Sequence, residues 1–233
     1  MTHHREKKIA LVHDGLCVTG GAERLFYWVC KAFPQADIYT SVYLADRTFP
    51  EFKDLKIHTL PLAGMIRTER QFKLLFPLWL AEMQRLRFAD YDVVFSSSTY
   101  LAKYIRPAKG VPHRSYLHAP FRFLWKLESY SDDSLPTPPL LTRALKLGLP
   151  ALRRWDIRET ERIDAIATNC QNVAAEIKRV YQRDAAVIHP PVPVDEFPLG
   201  EGEGDYFLSV SRLISHKRVD LAVKACSQLK QRL

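Results

Sequence analysis

KKIALVHDGLCVTGGAERLF, residues 7–26, decides the fold. Ile9–His13 is a short apolar run of the kind that forms a buried strand. A loop with paired glycines at 20 and 21 follows, and a helical pattern starts at once. Ala22, Leu25, Phe26, Val29 and Phe33 recur at the spacing of one helix face. Strand, glycine loop and helix in that order open a parallel α/β unit. The loop of such a unit lies beyond the carboxyl end of its strand, where α/β sheets bind ligands. Glycine there lets a phosphate oxygen approach backbone N–H groups at a helix start. A plain tight turn before a helix has the same sequence signature. The spacing is not G-x-G-x-x-G and no P-loop lysine follows, which disfavours dinucleotide and ATPase sites.

The same alternation continues along the chain. Predicted strands are Ile9–His13, Ile38–Val42, Lys56–Leu60, Asp92–Ser96, Arg114–His118, Ala165–Thr168, Ala186–His189 and Tyr206–Ser211. DVVFSS and DAIAT read as strands covered on both faces. Val173, Ile177, Val180 and Tyr181 share a helix face. The fold class is therefore α/β, a doubly wound parallel sheet.

Composition narrows the function. The 233 residues suffice for one large domain, or one domain and part of another. Lysine and arginine (34) outnumber aspartate and glutamate (26), a net charge of +8. That excess suits an anionic partner and equally suits plain solubility. No nucleic-acid-binding motif accompanies it. Cys17, Cys30, Cys170 and Cys226 are widely spaced, which disfavours zinc or a disulfide framework and points to a reducing cytoplasm. The start MTHHREKKIALV lacks a signal-peptide core, and no apolar run is long enough for a bilayer.

Residues 61–89 and 138–162 are basic and amphipathic. Phe72, Leu75, Leu78, Trp79 and Leu86 accompany Arg67, Arg70, Lys73, Arg85 and Arg87. Leu141, Leu145, Leu152 and Trp155 alternate with Arg143, Lys146, Arg153 and Arg154. Pro77 and the Gly148-Leu149-Pro150 run are expected to break these helices. Such helices fit either an anionic membrane surface or a core with a solvated basic outer face.

HPPVPVDEFPLGEGEG, residues 189–204, has linker composition: prolines stiffen its start and glycines loosen its end. The expected division is an N-terminal domain over 1–189, a linker over 190–204, and the first strand-helix unit of a second domain over 205–233. In that unit Val219, Ala222, Val223, Cys226 and Leu229 share a helix face. A lone strand-helix unit cannot pair its strand or bury that face.

Three further places carry chemistry. His118 closes a predicted strand that Pro120 prevents from continuing, so its imidazole is expected at the edge that holds the glycine loop. There it suits a sugar hydroxyl or developing charge on a departing phosphate; a structural histidine is the alternative. Arg122 is a second candidate anion ligand, while Trp125 reads as packing. Arg212 and Lys217 leave the predicted strand of the second domain. A guanidinium fork and a mobile ammonium together suit a diphosphate, although a solvated basic loop looks the same.

In order along the chain, GGAERL, DVVFSSSTYLAK, YLHAPFRFLWK, RRWDIRETERIDAIATNCQNVAAEIKRVY, HPPVPVDEF and YFLSVSRLISHKRVDLAVKA resemble the family 4 retaining glycosyltransferases of GT-B architecture. Within them the chain looks most like the mannosyltransferases of bacterial polysaccharide and O-antigen assembly. The resemblance covers nearly the whole chain. It implies that Gly20 and Gly21 lie beside the donor phosphates and transferred sugar. It implies that His118 contacts that sugar, and that Arg212 and Lys217 hold the diphosphate. It further implies a nucleotide-sugar donor such as GDP-mannose, no metal or other cofactor, and a lipid-linked saccharide acceptor on the N-terminal domain. The enzyme would then be a peripheral protein on the cytoplasmic membrane face.

The chain departs from the family pattern at several positions. Thr99 replaces a frequent histidine after the serine run. Leu117, Ala119 and Lys126 replace common Cys, Thr and Asp. Cys170 replaces a usual serine, and Pro193 an acidic residue. The family's E-x7-E segment, which binds the donor's sugar and nucleotide, is absent, so these 233 residues are expected to be inactive by themselves. Two rivals are a non-catalytic acceptor- or membrane-binding module and an NAD(P)-dependent oxidoreductase or epimerase. The sequence leaves donor sugar, acceptor, linkage and oligomeric state open.

Overall fold

The structure, a computed structural model, describes residues 7–66, 68, 71, 75–126, 139–197, 200, 204–211, 213 and 217–232, with backbone alone over 139–146. The chain divides into two compact units, residues 1–125 with 148–191 and residues 126–147 with 192–233.

The first unit is built on a seven-stranded, wholly parallel sheet. Its strands are β1 (Ile9–His13), β2 (Asp37–Thr40), β3 (Ile57–Thr59), β4 (Val93–Ser98), β5 (His113–Leu117), β6 (Ala165–Thr168) and β7 (Ala186–Val187). Their order across the sheet is β3-β2-β1-β4-β5-β6-β7. The first strand is thus central, and the winding reverses between β1 and β4. Each of the first seven predicted strands is present within a few residues of its expected bounds.

The pleat of β1 sorts its side chains to two cores. Ile9 and Leu11 pack with Phe26 and Cys30 of helix α1 (Gly21–Ala32) and with Phe52. Ala10 and Val12 pack with Trp79 and Met83 of helix α2 (Phe76–Arg85) and with Leu101 and Ile105. Both faces are covered, which is why β1 reads as an uninterrupted apolar run. Each large side chain buried here contributes roughly 1.5–3 kcal/mol. A third cluster joins Leu117 of β5 to Ile163, Ile166 and Ile177. After β5 come a short helix α3 (Arg122–Trp125), the long α4 (Pro139–Thr160) and α5 (Gln171–Tyr181), whose Ile177, Val180 and Tyr181 are buried as predicted.

The break expected at Pro77 is present: α2 starts at Phe76, and Pro77 lies in its first turn, where the missing N–H costs nothing. Three local expectations fail. Gly148-Leu149-Pro150 does not interrupt α4, which runs through Pro150. Pro150 is exposed. Phe33 caps α1 and is 40% exposed instead of continuing the buried face. The eighth strand, Tyr206–Ser211, is not formed among the described residues. Tyr206 makes one isolated bridge, to Arg232, and no neighbouring strand satisfies the remaining backbone. The following helix α6 (Val219–Gln228) does form. Only Cys226 of its expected apolar face is buried, while Val223 and Leu229 are exposed.

Candidate functional site at the carboxyl edge of the sheet

The carboxyl ends of β1, β4 and β5 lie side by side where the winding reverses. Such a switch point is the usual binding crevice of an open α/β sheet. Three polar residues cross it in a line. His13 ends β1 and is the register partner of Ser97 on β4. His13 Nδ1 lies 3.2 Å from Ser97 Oγ, and Ser97 Oγ lies 2.9 Å from His118 Nε2. His118 is the first residue after β5; its backbone N–H donates to the Ser98 carbonyl at 3.0 Å, and its own carbonyl accepts from Asn169 Nδ2 at 3.3 Å. Burial, helped by neighbouring His13, pulls His118 down to about 4, against opposing fields from Asp14 and Glu23. The imidazole is therefore neutral near pH 7. No described residue pairs with its Nδ1.

His13 is buried and stacks on Phe26, with ring centroids 4.6 Å apart. Its Nε2 faces Glu23 Oε1 at 3.8 Å. Glu23 lies in the first turn of α1, and its carboxylate folds back beneath Gly20. A Cβ on Gly20 would stand 2.5 Å from Glu23 Oε2. A side chain at residue 20 would therefore require the flexible end of Glu23 to move. Gly21 differs: it is exposed, begins α1, and nothing lies within 4 Å of where its Cβ would be. No side chain caps α1, so its first N–H groups are open to an anion.

A neighbouring array of N–H groups is already filled. The Asp14 carboxylate accepts from the backbone N–H groups of Thr99, Tyr100, Leu101 and Ala102 at 2.5–3.1 Å, and from Ser98 Oγ at 3.1 Å. It fixes the turn that follows β4.

Behind β5 a buried polar cluster anchors the segment after His118. Lys103 Nζ donates to Asp156, to Tyr181 Oη at 2.8 Å and to Thr160 Oγ1 at 3.2 Å. Tyr104, Trp125 and Tyr181 all donate to the same Asp156 carboxylate, at 2.7, 2.6 and 2.9 Å. Burial drives the Lys103 ammonium down and Asp156 opposes it; burial and Asp156 together push the Tyr181 phenol up. Such a cluster is costly to break, because losing one partner strands the other's charge. Phe121 N–H donates to Tyr181 Oη at 3.4 Å, and Arg153 Nε donates to the Leu124 carbonyl at 2.7 Å. Trp125 is packing, as its sequence context suggested. Arg122 is held on this anchored turn and is exposed.

The Glycosyltransferase Family 4 pattern matches residues 19–196, well over half the chain. The chain belongs to glycosyltransferase family 4. Its seven-stranded sheet agrees with the Rossmann-like GT-B first domain that the sequence led one to expect. No curated protein sequence matches the chain significantly. Among solved structures it resembles HepE of Anabaena in complex with UDP-glucose: 14% identity, TM-score 0.49, covering 95% of this chain and 50% of that one. HepE in complex with UDP and glucose is similar at 12% identity and TM-score 0.48, covering 83% and 47%. The chain spans about half the length of these structures.

Of the residues singled out in this family 4 chain, Gly20, Gly21, His118 and Arg122 lie in the first unit. Lys217 lies in the second and is exposed. Arg212 lies outside the described residues. His13, Asp14, Glu23 and Ser97 escaped sequence reasoning. The signals for His13, Asp14 and Ser97 were present as the HD pair at the end of β1 and the serine run closing β4, and that for Glu23 as an acidic residue in the first turn after the glycines. Among the described residues no helix is long and apolar enough to cross a membrane.

Proposed function

We propose that the chain is the acceptor-side part of a retaining hexosyltransferase, moving mannose from GDP-mannose to a lipid-linked saccharide in cell-surface polysaccharide assembly. The observation that supports this most is the meeting, at the switch point of a family 4 domain, of an open helix start at Gly20-Gly21 with a neutral histidine at residue 118. In this reading the helix start faces the donor phosphates, His118 meets the transferred sugar, and Arg122 is an anion contact. Arg212 and Lys217 hold the diphosphate from the second domain. The sugar's C1–O bond to the diphosphate breaks, and a C1–O bond to the acceptor forms on the same face. A diphosphate oxygen takes the acceptor hydroxyl's proton. Protein cations, with no metal, balance the departing charge.

The E-x7-E segment is not in the 233 residues, so the chain alone is expected to bind acceptor without transferring sugar. Equilibrium binding of a polyprenyl-diphosphate-linked saccharide, paired with a transfer assay using GDP-mannose, tests this. Sugar transfer by the isolated chain would overturn the inactivity; absence of acceptor binding would overturn the acceptor role.

A second reading, a non-catalytic membrane-binding module, draws on exposed apolar residues among basic ones. Leu78 (50% exposed) shares α2 with Arg85, and Leu152 (37%) shares α4 with exposed Arg154 and Arg158. Flotation with anionic vesicles at low salt tests a peripheral location on the cytoplasmic membrane face. No binding there removes the membrane from both readings.

A further inference from the structure

His118 has two ring nitrogens, and which one carries the proton decides what it offers a ligand. We infer that a neutral His13, oriented by the Glu23 carboxylate 3.8 Å away, hydrogen-bonds through Ser97 to His118 and fixes His118 as the Nε2–H tautomer with a bare Nδ1 acceptor.

The assignment follows from the far end of the relay. A carboxylate only accepts, and Glu23 Oε1 faces His13 Nε2 at 3.8 Å. In the neutral form of His13 proposed above, the single ring proton sits on Nε2, toward that charge. Its Nδ1 is then an acceptor, 3.2 Å from Ser97 Oγ. Ser97 has one hydroxyl proton and spends it on His13 Nδ1. Its oxygen is left to accept, and the atom 2.9 Å away is His118 Nε2. His118 must carry its proton there, leaving Nδ1 as the lone-pair side.

The geometry explains otherwise separate features. A Cβ on Gly20 would stand 2.5 Å from Glu23 Oε2, so the glycine leaves room for the carboxylate in the position that faces His13. Phe26 stacks on His13 with ring centroids 4.6 Å apart and restricts rotation of the imidazole. His13 and Ser97 are register partners across β1 and β4, so the sheet itself sets their separation. Glu23, His13 and Ser97 are positioning residues: they act through His118.

The consequence for a ligand rests on the sugar-transfer reading above. A bare Nδ1 accepts from a sugar hydroxyl and cannot donate to a phosphate oxygen. His118 would then orient the sugar, and the anion would be left to backbone N–H groups and cations. The tautomer assignment stands without that reading.

The experiment is long-range 1H–15N correlation NMR of the 15N-labelled chain near neutral pH, with His118 assigned by its loss in His118→Gln. The expected pattern is a protonated Nε2 and a bare Nδ1. Ser97→Ala is expected to lower the Nε2–H to Nδ1–H ratio by about tenfold, the worth of one neutral hydrogen bond. Ser97→Thr, which keeps the hydroxyl, is expected to restore it. Glu23→Met, which removes the carboxylate, is expected to lower it as well. A predominant Nδ1–H form in the unmodified chain would overturn the relay. So would a ratio that neither Ser97→Ala nor Glu23→Met changes in variants that remain folded by circular dichroism.

Discussion

The chain contains two strand-loop-helix sequences of similar design, and only one becomes a complete structural unit. Ile9–His13 feeds Gly20-Gly21 and α1; Tyr206–Ser211 feeds a basic loop and α6. The first strand is paired on both sides, by β2 and β4, and its five residues are buried. The second has a single bridge, and its Leu208 and Val210 are 77% and 86% exposed. Hydrophobic patterning proposes a strand, but neighbouring backbone must complete it. The two helices show the same contrast. α1 buries Leu25, Phe26 and Cys30, whereas α6 buries Cys226.

The largest expected break in this comparison is at Asp14. Asp14→Ala removes the acceptor for four backbone N–H groups. At about 1–3 kcal/mol for each buried donor left unpaired, the loss is expected to reach at least about 4 kcal/mol. A urea titration followed by tryptophan fluorescence would show it.

Acid is expected to act next, again on the first unit. Burial holds His113 and His118 down to about 4, against an ordinary value of 6.5. Asp164 faces His113, while His13, Asp14 and Glu23 face His118. Between those pH values the unfolded chain binds protons that the folded chain refuses. Stability from these two groups is therefore full above about pH 6.5 and is lost as pH falls toward about 4. Urea midpoints across that window should decline. Replacing His113 by an uncharged residue of similar size should flatten the decline even if it lowers the plateau.

A smaller change sharpens the contrast by strengthening the first unit. Cys170 is the N-cap of α5 and makes no capping hydrogen bond. Cys170→Ser is expected to supply one and raise stability by about 0.5–1 kcal/mol, read as a rise in melting temperature.

The smallest effect is expected where the second unit lacks partners. Leu208→Ala should alter stability by no more than about 0.5 kcal/mol, the range for surface changes. Amide exchange at 206–210 should be fast beside that of β1.

What the sequence disclosed, and what it withheld, follows the same division between local and distant causes. β1 was legible because double burial writes a continuous apolar run into it, and the other strands were legible from short apolar or alternating runs set between helical patterns. His118 was legible because Pro120 marks the strand end next to it. The relay was not, because His13 and Ser97 are 84 residues apart and meet through strand register. Asp156 was equally hidden: its partner Lys103 is 53 residues away. Pro77 marked a helix boundary, whereas Pro150 lies inside α4 and misled. Proline's cost depends on whether its turn needs the missing N–H, and that depends on position within the helix.

The Asp14 carboxylate has a last consequence. It acts as a permanent internal counterion, satisfying N–H groups in the turn after β4 that would otherwise attract a dissolved anion. The start of α1 differs: its N-cap Gly20 makes no side-chain bond, and the Glu23 carboxylate of its first turn lies beside it. The turn after β4 is thus closed to a dissolved anion by a side chain from a neighbouring strand end.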